Sequence, residues 1–287
     1  MNRILLPLFV SSIAGALGQS SISPAAHFAY AANAGWIDFR GTASDGVRLS
    51  ETFVSGKAYA ANFGWIDFGD GSPSNGHSYS NASAMDFGVN LAADGALNGA
   101  AYAANLGWIS FEQIHGKPRL DLLTGQLSGH VHAANAGWIE LDTTFSDLAT
   151  LFVARPDSDG DGITDAWEML HFANLSMATT ISDADGDLAT DLQEYEAGTD
   201  PRDPGSSFRI VTHSFAPGGT SVVVTFTSSP GRLYRIEHDT DLQGPWTNST
   251  LGLFTPDAGP LTSRAVTTSG GPRRFIRAVS VKPLLQP

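Results

Sequence analysis

Twelve residues from Asp157 read DSDGDGITDAWE, with carboxylates at positions 1, 3, 5, 9 and 12 and Gly162 at position 6. That spacing suits a hard divalent cation that takes about six to eight oxygen ligands. Asp157, Asp159 and Asp161 offer single oxygens, Ile163 its backbone carbonyl, and Glu168 two oxygens, while Asp165 reaches the ion directly or through water. Calcium fits this donor set. A second stretch, DADGDLATDLQE from Asp183, repeats the pattern with Asp183, Asp185, Asp187, the Ala189 carbonyl, Asp191 and Glu194. It departs at position 6, where Leu188 stands in place of glycine. If the turn there demands a left-handed residue, leucine costs about 1–2 kcal/mol, so the second loop is expected to be weaker or reshaped.

The distribution of charge agrees with cation binding. Residues 157–203 hold 13 carboxylates against one basic residue, whereas residues 204–287 hold 4 against 8. Carboxylates at that density repel one another unless cations lie between them. A chain of net charge -13 is also a poor partner for nucleic acid. The 287 residues include no cysteine. A metal is then one alternative to disulfides as a cross-link in an exported protein.

Each loop runs into a short predicted helix, the first carrying Trp167 and Leu170 on one face and the second Leu192 and Tyr195, so the two helices are expected to pack together. Gly198 suits the end of the second helix, and TDPRDP from Thr199 reads as a rigid exit in which Asp200 offers a further ligand. In these features the segment 156–204 resembles the cysteine-free, thrombospondin type 3-like calcium repeats of bacterial secreted proteins, down to the LQEYEAGTDP ending. The resemblance implies calcium-dependent folding of a rigid spacer. Paired dockerin loops look similar, but their Ser/Thr recognition pair has no counterpart at Ala166, Trp167, Leu192 and Gln193.

A second pattern governs residues 19–150. AYAANAGWIDF from Ala29 recurs as AYAANFGWIDF from Ala58, AYAANLGWISF from Ala101 and VHAANAGWIEL from Val131. Four copies predict a repeat architecture. Three also extend upstream through Val47 and Leu49, Val89 and Leu91, or Leu120 and Leu122, each followed by Gly56, Gly99 or Gly129, so each unit reads as a three-stranded meander. About eleven or twelve strands follow, closing as a sandwich or a barrel, with a propeller as the alternative. The long middle spacing suggests two tandem pairs and a pseudo-twofold axis. Asn33, Asn62, Asn105 and Asn135 are residues that tolerate positive φ in a tight hairpin.

Strand alternation puts Ile37, Phe39, Ile66, Phe68, Ile109, Phe111, Ile139 and Leu141 in the core. The wetter face carries Trp36, Trp65, Trp108 and Trp138 with Asp38, Asp67, Ser110 and Glu140. The indoles read first as packing over small alanines of the neighbouring strand and second as platforms for sugar rings. Tyr30, Tyr59, Tyr102 and His132 share one repeat position; His130 and His132 lack a third ligand and carry no zinc assignment.

Residues 206–283 alternate as a small β-sandwich, and GRLYRIEHDTDLQGPW from Gly231 resembles the terminal β-module that follows such calcium repeats. Arg273, Arg274 and Arg277 read as a solvated strand edge. Residues 1–18, with Arg3, an apolar run and small residues, read as a secretory signal, and no later stretch is long enough to anchor the mature chain in a membrane. The protein is therefore expected to be mainly β, secreted or at the cell surface, and non-catalytic. Its expected role is structural or adhesive, with a calcium-stabilised joint and glycans or proteins of a cell surface or matrix as partners. Carbohydrate binding by the tryptophan face is the alternative, and polysaccharide hydrolysis by paired carboxylates a second.

Overall fold

The computed structural model describes residues 19–41, 45–143, 145, 147–217, 220–267 and 275–286. Residues 1–18, expected to be a secretory signal, and Arg273 and Arg274 lie outside them. Among the described residues the repeat region forms fourteen strands. These are β1 (Ile22–Ala31), β2 (Gly35–Asp38), β3 (Arg48–Leu49), β4 (Phe53–Ser55), β5 (Lys57–Ala60), β6 (Gly64–Asp67) and β7 (Val89–Leu91). They continue as β8 (Leu97–Ala103), β9 (Gly107–Phe111), β10 (Arg119–Leu120), β11 (Gln126–Ser128), β12 (His130–Ala133), β13 (Gly137–Glu140) and β14 (Leu148–Thr150).

The four motif copies are the hairpins β1–β2, β5–β6, β8–β9 and β12–β13. Each pairs antiparallel with the next through β2–β5, β6–β8 and β9–β12, and β13 returns to β1. The result is a closed eight-stranded barrel, which resolves the expected choice among sandwich, barrel and propeller. Closure leaves these strands without a free edge. The register advances by two residues at every repeat boundary: Tyr59 lies opposite Asp38 but Trp65, Tyr102 opposite Asp67 but Trp108, and Tyr30 opposite Glu140 but Trp36. Such a stagger tilts the strands and leaves an interior that side chains alone fill.

That narrow interior explains the motif's composition. Ile37, Ile66, Ile109 and Ile139 point inward and are buried. Within its own hairpin each faces Ala29, Ala58, Ala101 or Val131, and across the repeat boundary each faces Ala60, Ala103, Ala133 or Ala31. One large side chain between small ones fills the space without overlap. At one end Phe39, Phe68, Phe111 and Leu141 close the barrel, with rings stacked edge-to-face at 5.2 and 5.8 Å. The remaining strands extend this core with Leu49, Val54, Val89, Leu91, Leu120, Leu127 and Leu148.

The asparagines act differently from expectation. Positive φ falls on Gly35, Gly64, Gly107 and Gly137, which end three-residue turns, and not on Asn33, Asn62, Asn105 or Asn135. Each Asn amide instead donates to the turn of the preceding repeat: Asn62 to the Ala34 carbonyl (3.0 Å), Asn105 to Phe63 (3.0 Å), Asn135 to Leu106 (3.1 Å) and Asn33 to Ala136 (3.2 Å). The bonds run once around the barrel and join all four repeats equivalently, where two tandem pairs were expected. The insertion responsible for the long spacing lies outside the ring, where Tyr79 packs on Phe53 at 5.6 Å.

The tryptophans stand on the outer wall, 44–48% exposed, and meet the cross-strand Tyr30, Tyr59, Tyr102 and His132 edge-to-face at 4.9–5.1 Å. They do not lie over the alanines, which face the opposite side of the sheet.

The two acidic loops lead into α1 (Asp165–His171) and α2 (Asp191–Ala197) respectively, and then come β15 (Ile210–Phe215), β16 (Ser221–Thr227), β17 (Leu233–Asp239), β18 (Thr247–Asn248), β19 (Leu261–Thr267) and β20 (Phe275–Val281). The last six strands make two three-stranded sheets, β15–β16–β19 and β18–β17–β20, around Val222, Val224, Phe226, Tyr234, Ile236 and Val266. Arg277 is held within this module by Glu237 at 2.6 Å and by stacking over Trp246 at 4.3 Å. Among the described residues no helix is long and apolar enough to cross a membrane.

Gly99 and Gly64 both take positive φ, but their surroundings differ. A Cβ at Gly99 would lie 2.3 Å from the Gly88 carbonyl oxygen, whereas at Gly64 it would meet open space. Gly64→Ala is expected to cost only the backbone term, about 1–2 kcal/mol, and Gly99→Ala distinctly more. Urea unfolding of the two variants checks the order.

Candidate metal centres

Both acidic loops are shaped by their own first aspartate. In the first, the Asp157 carboxylate accepts from the amides of Gly160 (2.7 Å) and Gly162 (2.9 Å), folding the chain back on itself. Asp183 does the same with the amides of Gly186 (2.7 Å) and Leu188 (3.0 Å). The turn requires a left-handed residue at position 6, and Leu188 takes φ 83° where Gly162 takes φ 94°. Leucine therefore bears the strain that its type implied, with its side chain 91% exposed.

The folded loops gather the aspartates. Carboxylate oxygens of Asp157, Asp159 and Asp161 lie within 4.8 Å of one another, as do those of Asp183, Asp185 and Asp187. Each following helix then brings in a glutamate. Glu168 on α1 is fully buried and Glu194 on α2 nearly so. Neither oxygen of Glu168 has a hydrogen-bond partner, and the same holds for Asp161 Oδ2, Asp185 Oδ2 and Glu194 Oε2. Glu194 Oε1 accepts from the Thr199 hydroxyl at 3.2 Å.

Such burial has an electrostatic signature. Desolvation, reinforced by Asp159, Asp161, Asp165 and Asp157, pushes the Glu168 carboxyl up to about 8. Desolvation, against the Thr199 hydrogen bond but with Asp185, Asp187 and Asp191 nearby, raises Glu194 to about 7. Asp161 and Asp185 are raised too, chiefly by desolvation. Buried glutamates with unpartnered oxygens beside clustered aspartates fit a divalent cation, which would supply the missing charge and take the orphaned oxygens as ligands. These acidic groups could hold a metal ion.

The other predicted positions support the loops. Asp165 and Asp191 close them: Asp165 accepts from the Ser158 amide (2.7 Å) and hydroxyl (2.6 Å), and Asp191 from the Ala184 amide (3.1 Å) and Ser182 hydroxyl (2.5 Å). The Ile163 and Ala189 amides donate to Asp161 and Asp187, both at 2.8 Å, and the Ile163 side chain anchors the first loop in a small core. Asp200 stands outside both clusters, 3.5 Å from the His171 imidazole.

The helices are held from several directions. Trp167 and Tyr195 meet at 5.6 Å, with Ala178, Phe172 and Leu192 around them. Leu170, expected beside Trp167, is 52% exposed because α1 turns its buried side toward Ala166, Trp167 and Glu168. At the start of α2, Thr190 and Gln193 form a capping box, and Gly198 ends the helix in the left-handed conformation at φ 76°.

Sequence reasoning missed the residues that fasten this segment to the rest. Glu51, in the turn between β3 and β4 beside the barrel, accepts from the hydroxyls of Thr164 (2.6 Å) and Tyr195 (3.4 Å), and lies 3.5 Å from Arg155. Arg232, from the terminal module, donates to the carbonyls of Tyr195 and Glu196. Between these parts lies a cavity of about 430 Å³ lined by Thr52, Leu91, Val153, Arg155 and Trp167 among others. The loops therefore do not hold the module away from the barrel; they form the junction at which the parts abut. Comparison with models of known families, with curated proteins and with solved structures finds no match.

The raised glutamates set a pH dependence. An acid whose folded pKa is raised favours the metal-free fold when protonated. That contribution is complete below about pH 4.5 and is lost as pH rises through about 7 for Glu194 and about 8 for Glu168. A cation must displace those protons, so its affinity is expected to fall on going from pH 8 to pH 6. Calorimetry at pH 7 in buffers of different ionisation enthalpy should register proton release on metal uptake; uptake without release would contradict the assignment.

Proposed function

We propose that the two loops bind calcium and that this protein is an exported, non-catalytic structural or adhesive protein whose parts are fastened together by the bound ions. The observation that carries the reading is the pair of buried glutamates, Glu168 with both oxygens unpartnered and Glu194 with one, each close enough to the aspartates of its loop to feel their charge. An all-oxygen donor set with flexible loop geometry favours calcium over magnesium, which dehydrates reluctantly and keeps its waters. The resemblance of residues 156–204 to thrombospondin type 3-like repeats supports the same ion. In a chain without cysteine the ions take the part of cross-links. The partners are glycans or proteins of a cell surface or matrix.

At free calcium a hundredfold above Kd, one site adds about 2.7 kcal/mol to the folded state, comparable with a disulfide. Removing calcium with a chelator is expected to lower the melting temperature of the transition that includes residues 157–203 by about 5–10 °C. An unchanged transition in differential scanning calorimetry would count against the proposal.

The second reading, binding of carbohydrate, draws on the outer wall of the barrel. Each half-exposed indole stands beside a tyrosine or histidine, and the register places Asp38, Asp67 and Glu140 opposite the tyrosine of the next repeat. Flat apolar faces next to hydrogen-bonding carboxylates suit sugar rings. Trp65→Ala is expected to abolish retention on an immobilised polysaccharide while leaving the far-ultraviolet spectrum unchanged. A hydrolase built on those same carboxylates has less support, since Asp38 accepts from His27 and from the Arg40 and Gly41 amides and Asp67 from the Gly69 amide, as turn anchors do.

A further inference from the structure

The two loops differ in what they hold in place. The first is tied to the barrel, because Thr164, the residue after Ile163, donates to Glu51. The second shares that anchor through the longer Tyr195–Glu51 bond of 3.4 Å, and it is tied in addition to the terminal module at the carbonyl end of α2. There Arg232, only 7% exposed, donates to the carbonyl oxygens of Tyr195 and Glu196, the latter at 3.1 Å, and the Ser280 hydroxyl also donates to Glu196 O at 3.1 Å. The Lys282 ammonium lies 4.2 Å from the centre of the Tyr195 ring, and the Arg232 guanidinium 5.6 Å. The formed helix leaves these last carbonyl groups without intrahelical partners and presents them together at one end.

Whether α2 forms depends on its loop. A helix of seven residues is too short to persist by itself in water. Its first turn carries Asp191 and Glu194, and Glu194 must be buried near Asp185 and Asp187 for Tyr195 to reach its place between Trp167 and Arg232. Without a cation, mutual repulsion of these carboxylates opposes that arrangement. The second loop is also the weaker of the two. Leu188 bears a left-handed conformation that Gly162 bears without strain, and one Glu194 oxygen is already engaged by Thr199, whereas both Glu168 oxygens are unpartnered.

We infer that the second loop is a calcium-set latch for the terminal module: as calcium falls it empties first, α2 loses order and the module releases it, while the first loop keeps α1 on the barrel. This rests on the calcium reading of the loops and adds an order of events and a mechanical consequence. After release the module is still joined to the barrel by its tail, since the Val153 amide donates to Leu284 O at 3.0 Å and Arg155 donates to Pro283 O at 2.7 Å. The movement is therefore a loosening of one attachment and not a separation of the parts.

Linkage makes the idea testable in both directions. If calcium in the second loop favours docking, docking must favour calcium by the same factor, although Arg232 and Ser280 touch no ligand of the ion. The experiment follows hydrogen exchange of the full chain along a series of calcium buffers, reading residues 164–171 and 191–198 separately, with calorimetry on the same samples. Segment 191–198 is expected to lose protection at higher free calcium than 164–171. Leu188→Gly should move that first transition to about tenfold lower calcium and leave the second where it is. Arg232→Met should weaken the second site about fivefold or more without altering the first, and Ser280→Ala, a milder change, should do so in the same direction. Protection of 191–198 that persists after the second ion has left, or unchanged calcium affinity in both module variants, would overturn the latch while leaving calcium binding intact. An absence of calcium uptake by the wild-type protein would overturn the calcium reading and the latch with it.

Discussion

Taking a carboxylate out of water costs several kcal/mol unless a countercharge accompanies it. Glu168 and Glu194 are both taken out of water, each beside further aspartates. The arrangement of the junction follows from that constraint. Burying Glu168 sets α1 with Trp167 inward, and burying Glu194 sets α2 with Tyr195 inward, so the two rings meet. Thr164 and Tyr195 then reach Glu51 beside the barrel, and the end of α2 presents its carbonyls to Arg232. A junction of this kind lacks a large apolar interface of its own; its small core comprises Ile163, Trp167, Ala178 and Tyr195 with Phe172 and Leu192 beside them.

The barrel solves a different problem by repetition. A ring of eight short strands has to be filled without overcrowding, and alternating Ile with Ala does this four times over. The asparagine amides then lock each turn to its neighbour, so no repeat is an end in the sense that open solenoids have ends. The same repetition puts four indoles on the outer wall, each needing only a tyrosine or histidine for support. A packing role and a binding role are compatible there, because one part of each ring is covered and nearly half remains exposed.

Much of the local structure was legible in the chain. The position of every carboxylate in the two loops, the strain at Leu188, the short helices and their pairing through Trp167 and Tyr195, the end of α2 at Gly198, and the inward face of each GWI strand all follow from residue type and spacing. These are properties of a few consecutive residues, for which backbone geometry and side-chain chemistry leave little freedom. Errors arose where a residue had two equally good local uses. Asparagine before glycine serves a turn or a cross-repeat bond, and tryptophan on a strand packs over alanine or against tyrosine; only the neighbour decides.

Sequence alone thus determined the repeat, the mainly β character and the acidic loops with the spacing of their carboxylates. Tertiary structure decided that four hairpins close into one barrel, that Asn33 completes the ring by meeting Ala136, and that Glu51 and Arg232 converge on Tyr195 from opposite ends of the chain. The physical reason is range. Spacing along a chain encodes contacts made within a turn or a hairpin, whereas ring closure and the junction join residues more than a hundred positions apart, or across separately folded parts, and no periodicity records such a meeting.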